Sequence, residues 1–323
     1  MPELPEVTVI VRQLNRKLKG LILESIEYDW PKKFFLAAGL EGPLARRERD
    51  KWIIEDLRGA RVEKVERIGK IVVINLLNAK RLKTKAKKEK NSVSRSSLDF
   101  SRISVLIHLK LTGQLIYQDA KTRIAGGHPI PPLNLAVPNK TTRVTFAFTS
   151  GGNLYFNDIR KFGWVKIVEN EKTKVKEAIG MELGPDALEI TFDDFEKRLK
   201  AKGQSRIKKL LMDQKFVSGI GNIYSDEALW RAKIHPRRPA ISLQPLEVRK
   251  LYDGIQDSLK LAIAKGGSSA NAYVDSGGER GLYLSFAKAY HMTGKPCARC
   301  KTSIVREKID GRSAHFCPAC QKL

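Results

Sequence analysis

Ile207-Lys208-Lys209-Leu210-Leu211, followed by Val217-Ser218-Gly219-Ile220-Gly221-Asn222 and then Asp226-Glu227, decides how the second half of this chain folds. Ile207, Leu210 and Leu211 fall at helical spacing and give one helix an apolar face. The two glycines make a turn. A second helix is expected to start near Asn222, a residue suited to an N-cap, with Asp226 and Glu227 close to its first turn. A helix N-terminus with free N–H groups beside two glycines is a phosphate-binding device. An ordinary structural αα-corner uses the same turn chemistry, so this segment leaves both readings open. Lys208, Lys209 and Lys215 tilt it towards a polyanion.

The whole chain leans the same way. It carries 60 Lys and Arg against 35 Asp and Glu, a net charge of +25. DNA, RNA or an acidic membrane surface would each attract it. Its 323 residues suit two domains, and 42% hydrophobic residues suffice for a buried core. No run of about 18 apolar residues suggests a membrane span. The acidic, proline-containing N-terminus does not resemble a signal peptide, so an intracellular setting is expected: cytoplasm and nucleoid, or nucleus if the host has one.

All four cysteines lie after residue 296, as Cys297-x2-Cys300 and, sixteen residues later, Cys317-x2-Cys320. This spacing places four thiolates on one tetrahedral zinc ion. Four protein ligands leave no open position, so the ion is expected to be structural. Two disulfides would need a secreted protein. Ile304-Val305 and Ala314-His315-Phe316 suit the two strands of a zinc ribbon, with Gly311-Arg312-Ser313 as its turn. Arg312 would then suit a phosphate or a DNA groove, or would simply be a solvated turn residue.

Working towards the N-terminus, residues 266–284 form a glycine-rich loop within a helical region, 185–290, and 291–323 form the zinc finger. Residues 169–184, rich in Lys and Glu, are expected as a linker. Residues 21–168 favour strands, among them Ile71–Ile74, Val105–Leu109 and Val144–Phe148. Residues 79–102 interrupt them with nine basic residues against two acidic ones and a serine-rich end, as a basic mobile insertion would. It is either a solvated insertion or a DNA-tethering arm. Residues 2–20 read as a helix, with Val7, Val11, Leu14 and Leu18 on one face. The expected fold is α+β with two domains: a β-sandwich over 1–168 with packed helices, then a helical DNA-binding domain and a four-cysteine zinc ribbon.

The N-terminus itself carries chemistry. Removal of Met1 would make Pro2 a free secondary amine, able to attack a sugar C1′ and form an iminium. An α-amino pKa near ~8 leaves part of it neutral at pH 7, and the following helix dipole should lower it further. Glu3 is placed to act as a general acid, and Glu6 to order the terminus. Taken alone, Pro2-Glu3-Leu4-Pro5-Glu6 would be a proline and acid cap on a helix.

Taken together, Pro2-Glu3-Leu4-Pro5-Glu6-Val7, Gly221-Asn222-Ile223-Tyr224-x-x-Glu227-Ala228-Leu229 and Gly311-Arg312-Ser313…Cys317-Pro318-x-Cys320-Gln321 resemble the formamidopyrimidine-DNA glycosylases, helix–two-turn–helix repair enzymes. The resemblance runs nearly end to end, except for residues 79–102. It implies a bilobal fold that clasps damaged double-stranded DNA between its lobes, as a monomer, with the damaged nucleotide flipped out. It implies Pro2 as nucleophile, Glu3 as the acid that protonates the deoxyribose ring oxygen, and Lys70 as a lysine on the phosphate near the lesion. His108, Asn222 and Arg312 match further phosphate contacts, and Lys208 a residue facing the nucleotide. Leu111, Arg160 and Phe162 match the residues that fill the gap left in the base stack.

The resemblance also implies removal of oxidised purines, 8-oxoguanine and formamidopyrimidines, followed by β- and δ-elimination, with zinc as the only cofactor. Departures touch the substrate: Leu111 stands where the family usually has Met, and Lys110 where it has Gly. Lys140-Thr141-Thr142-Arg143 replaces a histidine-containing segment, and Asn271 and Ala272 replace Arg and Asp. An endonuclease-VIII-like enzyme for oxidised pyrimidines is the nearest rival, although Leu4-Pro5 argues against it. A non-catalytic DNA-binding relative is the rival from another class.

Overall fold

The structure, a computed structural model, describes residues 2–29, 34–36, 54–55, 57–78, 102–128, 130–180, 182–268 and 282–323. Residues 79–101 of the basic insertion, and Asn271 and Ala272 in the glycine-rich loop, lie outside the described residues. Two compact units emerge. Of the described residues, the first comprises Pro2 and those from Val7 to Gly180, and the second comprises Glu3–Glu6 and those from Glu182 to Ser268 and from Leu282 to Leu323.

Helix α1 (Leu4–Leu18), which belongs to the first unit from Val7 onward, precedes strands β1 (Leu23–Tyr28), β2 (Phe34–Leu36), β3 (Arg61–Ile68), β4 (Ile71–Leu77) and β5 (Arg102–His108). Strands β6 (Gly113–Gln118), β7 (Arg123–Gly127), β8 (Thr142–Phe148), β9 (Asn153–Asp158) and β10 (Trp164–Glu169) follow. They form two five-stranded sheets, ordered β1-β8-β9-β6-β7 and β2-β10-β5-β4-β3. Val7, Ile10, Val11, Leu14 and Leu18 of α1 are buried in one core with inward residues of both sheets, such as Val72, Ile74, Val105 and Ile107 from one and Phe146, Leu154 and Phe156 from the other. The β-sandwich with a packed helix is therefore what short apolar runs between turn signals produce, with β4 and β5 buried along nearly their whole length. Among the described residues, buried polar side chains such as Asn75, Ser104, Gln114 and Asn157 interrupt the apolar interior.

Part of the expected linker is helical. Lys172–Ile179 forms α2, because Val175, Ala178 and Ile179 share a buried face and Gly180 stops the helix in a left-handed conformation, φ 68°. Its lysines and glutamates are the solvated face of an amphipathic helix, and composition alone does not separate that from a linker.

The second unit holds α3 (Phe192–Ala201), α4 (Ile207–Met212), α5 (Asn222–Ala232), a short 3-10 turn (Ala240–Ser242), α6 (Pro245–Ala264) and α7 (Tyr283–Phe286). Its core joins Leu4 to Ile207, Leu210, Leu211, Ile220, Tyr224, Leu229, Leu251 and Leu259. Strands β11 (Val305–Ile309) and β12 (Arg312–Phe316) pair in register, Ile309 opposite Arg312. The turn of this hairpin is Asp310-Gly311, not Gly311-Arg312-Ser313. Both turn residues have positive φ, 47° and 79°, the Asp-Gly pattern of a tight two-residue hairpin. Arg312 therefore begins the return strand. No helix of the described residues is long and apolar enough to cross a membrane.

Candidate active site and DNA-contacting residues

Pro2 is buried, and Glu3 beside it is 3% exposed. The Glu3 backbone N–H donates to Glu6 Oε2 at 2.8 Å, so Glu6 does order the terminus. Glu6 also accepts from the Tyr224 hydroxyl at 2.6 Å and from Ser268 N–H at 2.8 Å. Burial, then the Glu6 carboxylate, raises the Tyr224 pKa well above the ordinary phenol value, so this donor keeps its proton.

The Glu3 side chain does what Asn222 was expected to do. Its carboxylate accepts from Gly221 N–H at 2.8 Å, Ile223 N–H at 3.0 Å and Tyr224 N–H at 3.5 Å. These are the orphan donors at the start of α5, whose positive dipole end favours an anion. Gly221 is the N-cap, in extended conformation with no side-chain cap, and Asn222 is the first helical residue. A Cβ on Gly221 would lie 2.4 Å from Glu3 Cδ, so glycine there makes room for the carboxylate. The helix terminus identified as an anion site is thus occupied by an anion from the chain itself. The Asn222 Oδ1 is buried without a hydrogen-bond partner.

Asp226 and Glu227 lie in the second turn of α5, fully buried. Asp226 accepts from Lys208 Nζ at 2.5 Å, His315 N–H at 3.0 Å and His315 Nδ1 at 2.9 Å. It fastens β12 of the zinc hairpin to α4 and α5. Glu227 accepts from the backbone N–H groups of Lys288, Ala289 and Tyr290 at 2.9–3.1 Å. Burial raises its pKa, and those N–H groups oppose the shift.

Lys208, expected among the DNA contacts, is 1% exposed and spends its ammonium on Asp226 and on the Ser313 carbonyl, 2.7 Å away. Burial pulls its pKa down, with Asp226 opposing. Arg312 is exposed, and lines with Lys208, Lys202 and Lys209 a cleft of about 400 Å³.

The four cysteines gather with their Sγ atoms within 4.8 Å of one another. Thiolates at about 2.3 Å from a tetrahedral zinc stand just under 4 Å apart, so the cluster fits that ion. Cys297, Cys300, Cys317 and Cys320 are the ligands of one structural zinc. Trp230 of α5 packs against Cys297 and Cys317, with Arg299 stacked over its ring at 4.0 Å.

In the first unit, Lys70 sits with Gly69 in the two-residue turn joining β3 and β4, rather than within a strand. It is buried. Ile71, the next residue, pairs with His108. The His108 ring lies 5.5 Å from Trp164, and its Nδ1 accepts from Lys110 N–H at 3.0 Å. Burial, then the charges of Lys110 and Lys70, lowers its pKa from 6.5 to about 3. At neutral pH the ring is uncharged, and with Nδ1 accepting, its proton sits on Nε2. Leu111 is partly exposed in the β5–β6 turn, and Arg160 and Phe162 are exposed between β9 and β10. The Arg160 guanidinium lies over the Phe162 ring at 4.6 Å.

Asp226, Glu227, Tyr224 and Asp158 carry structural tasks that no motif announces, because the groups they hold lie far away along the chain. Two adjacent acids within a buried helix are the one signal, and Asp226-Glu227 carry it.

Comparison with known proteins agrees along the whole chain. Residues 1–165 match the formamidopyrimidine-DNA glycosylase N-terminal domain, 183–273 the formamidopyrimidine-DNA glycosylase H2TH domain, and 294–323 the zinc finger found in FPG and IleRS. The formamidopyrimidine-DNA glycosylase of Pelotomaculum thermopropionicum is 35% identical across 100% of both chains. That of Enterococcus faecalis is 35% identical over 100% of this chain and 98% of its own. Among solved structures, a complex of Lactococcus lactis Fpg with DNA containing an abasic site is 26% identical, covers 99% of this chain and 100% of its own, and has a TM-score of 0.75. MutM in complex with DNA containing carbocyclic 8-oxo-G is 27% identical over 100% of both chains, TM-score 0.75. The chain belongs to the formamidopyrimidine-DNA glycosylase family of base-excision-repair enzymes.

Proposed function

We propose that this glycosylase is bifunctional: it removes oxidised purines through a covalent adduct on Pro2 and then cuts the strand as an AP lyase. The observation that carries the reading is the buried carboxylate of Glu3, the residue that follows Pro2 in sequence, clamped by the N–H groups that open α5. In those contacts Glu3 acts as an acceptor, which gives the acid role a specific order of events. Neutral Pro2 attacks C1′ of a flipped-out nucleotide, and the base departs with its electron pair and takes a proton from water. The new C1′–N bond leaves a proton on the proline nitrogen. The Glu3 carboxylate takes that proton and returns it to the ring oxygen as the C1′–O4′ bond opens, and the iminium forms. The iminium acidifies the C2′ hydrogens, so β-elimination breaks the 3′ side of the sugar. δ-Elimination then breaks the 5′ side, and water releases the enzyme.

DNA binding is assigned to Lys70, His108, Asn222 and Arg312 on phosphates, and stack filling to Leu111, Arg160 and Phe162. Lys208 supports them by holding the zinc hairpin. Neutral His108 would donate its Nε2–H to a phosphate without adding charge. The protein is taken to act as a monomer inside the cell. The test is borohydride trapping on an abasic-site duplex. Wild type should give a covalent protein–DNA adduct, and Pro2→Gly and Glu3→Gln should not. A full-yield adduct with Pro2→Gly refutes the mechanism. Comparing excision of 8-oxoguanine with that of thymine glycol decides the substrate class, and faster release of the pyrimidine refutes the purine assignment.

A further inference from the structure

Asp158 closes β9 and is completely buried, yet it faces no cation through its carboxylate in the hydrogen bonds it makes there. Instead it ties two turns together. Its Oδ1 accepts a short hydrogen bond from the Thr112 hydroxyl and another from Arg160 N–H at 3.2 Å; Oδ2 accepts from Gly163 N–H at 2.7 Å. Arg160 N–H also reaches Thr112 Oγ1 at 3.3 Å. From behind, buried Arg143 donates its Nε–H to the Asp158 carbonyl at 3.0 Å and pairs with Asp29 at 2.7 Å. One carboxylate thus joins the turn bearing Leu111 to the turn bearing Arg160 and Phe162.

The backbone around this tie has little slack. A Cβ on Gly113 would lie 2.4 Å from the Leu109 carbonyl oxygen, and one on Gly163 would lie 2.8 Å from the His108 carbonyl oxygen. Lys110 and Lys161, each next to one of the three residues, adopt left-handed φ of 50° and 57°, which a non-glycine residue holds only where its surroundings enforce it. A buried acid with three donors is costly to leave unsatisfied, so the tie resists opening.

We infer that Asp158 is a positioning residue that makes Leu111, Arg160 and Phe162 one rigid wedge, rather than side chains on two independent loops. The inference rests on the reading of those three as the group that fills the base stack. A wedge set at fixed spacing keeps Arg160 aimed at the orphaned base while Leu111 and Phe162 occupy the gap. Opposite-base discrimination, and not only lesion removal, then depends on Asp158 through the residues it holds.

The test compares wild type with Asp158→Asn, Thr112→Val, Arg160→Ala and Phe162→Ala. Each is assayed on a formamidopyrimidine-containing duplex with varied opposite base, and on a single-stranded abasic oligonucleotide, which has no stack to fill. Asp158→Asn is expected to slow duplex excision by about tenfold to a hundredfold and to flatten opposite-base preference, as a wedge displaced by an ångström would. Thr112→Val should do the same more mildly, and both should cleave the single strand at a rate close to wild type. Unchanged duplex excision and preference in Asp158→Asn overturns the inference, as does an equal loss on both substrates, which marks a residue that only keeps the fold. If Arg160→Ala and Phe162→Ala are themselves silent on duplex DNA, the stack-filling reading fails and takes the inference with it. If they are impaired while Asp158→Asn is not, the inference alone fails.

Discussion

Replacing Asp226 by Asn should destabilise the chain severely, and replacing Lys208 by Met in the same molecule should recover most of the loss. The two side chains are 1% and 2% exposed and meet at 2.5 Å, and the other carboxylate oxygen holds the His315 ring and its N–H. Asn keeps the shape and one acceptor oxygen but removes the charge and turns the other oxygen into a donor, so the Lys208 ammonium stays buried with no counter-charge in its hydrogen bonds, or His315 N–H loses its acceptor. Breaking one side of such a pair costs about 3–5 kcal/mol, because the stranded charge has lost its solvent and its partner. Exchanging both sides for uncharged groups of similar size removes the stranded charge, so the double variant should recover to within about 1–2 kcal/mol of wild type, roughly 2–3 kcal/mol more stable than Asp226→Asn alone. Denaturant unfolding of the full chain gives the energies. Release of zinc to a chromogenic chelator locates the damage, since Asp226 fastens β12, and β12 leads directly into Cys317. Fast zinc release in Asp226→Asn and slow release in the double variant is the expected pair of results. A double variant no more stable than Asp226→Asn, or an Asp226→Asn within ~1 kcal/mol of wild type, would refute the account of the pair.

Gly221→Ala should cut adduct formation by about a hundredfold, since a methyl 2.4 Å from Glu3 Cδ must displace the carboxylate by roughly an ångström; near-normal borohydride trapping would contradict the clamp. His108 should remain neutral through pH 5–8, with nitrogen-15 spectra showing the Nε2–H tautomer, and a titration midpoint above 6 would count against its burial. The folded ring takes up a proton only near pH 3, whereas the unfolded chain takes one near 6.5. Its contribution to stability is therefore complete above about 6.5 and falls as the pH drops towards 3, a dependence that His108→Gln should remove from acid unfolding curves. Chelating the zinc should unfold the β11–β12 hairpin and abolish duplex binding while leaving strand content in the first unit, and circular dichroism unchanged throughout the chain would argue against a structural ion.

The sandwich was legible because strands buried along their length read as short β-branched and aliphatic runs bounded by turn signals, and the zinc finger because thiolate geometry is written into Cys-x2-Cys spacing. What escaped has a common cause. Lys172–Ile179 carries an apolar face too short to outweigh its charged residues, so its composition suggests a linker. Asp310-Gly311 and Gly311-Arg312-Ser313 share the glycine that any tight turn there needs, so the turn's existence is legible and its exact position is decided by the register that pairs Ile309 with Arg312. Lys208 looked like a surface cation because its partner Asp226 lies eighteen residues away. A charge pattern along the chain states how many ions must be solvated or paired, never which.

Asn222 shows why local capping rules failed where catalysis is proposed. A Ser, Thr, Asp or Asn at an N-cap satisfies the helix from within its own segment and leaves nothing over. Here the cap position is Gly221, which offers no side chain, and the donors are left for a residue 218 positions earlier. The exchange gives up a local cap of about 1 kcal/mol. In return the N-terminal segment is fixed by charge-assisted hydrogen bonds worth roughly twice as much as neutral ones. A chain terminus ordinarily frays, and one proposed to carry a nucleophile cannot do so. Glu3 therefore holds the terminus with the same carboxylate that is proposed to move its proton, and Glu6 reinforces it from the Glu3 N–H. A glycine where a polar cap is expected, opposite an unexplained acid elsewhere in the chain, is the trace such an arrangement leaves in a sequence.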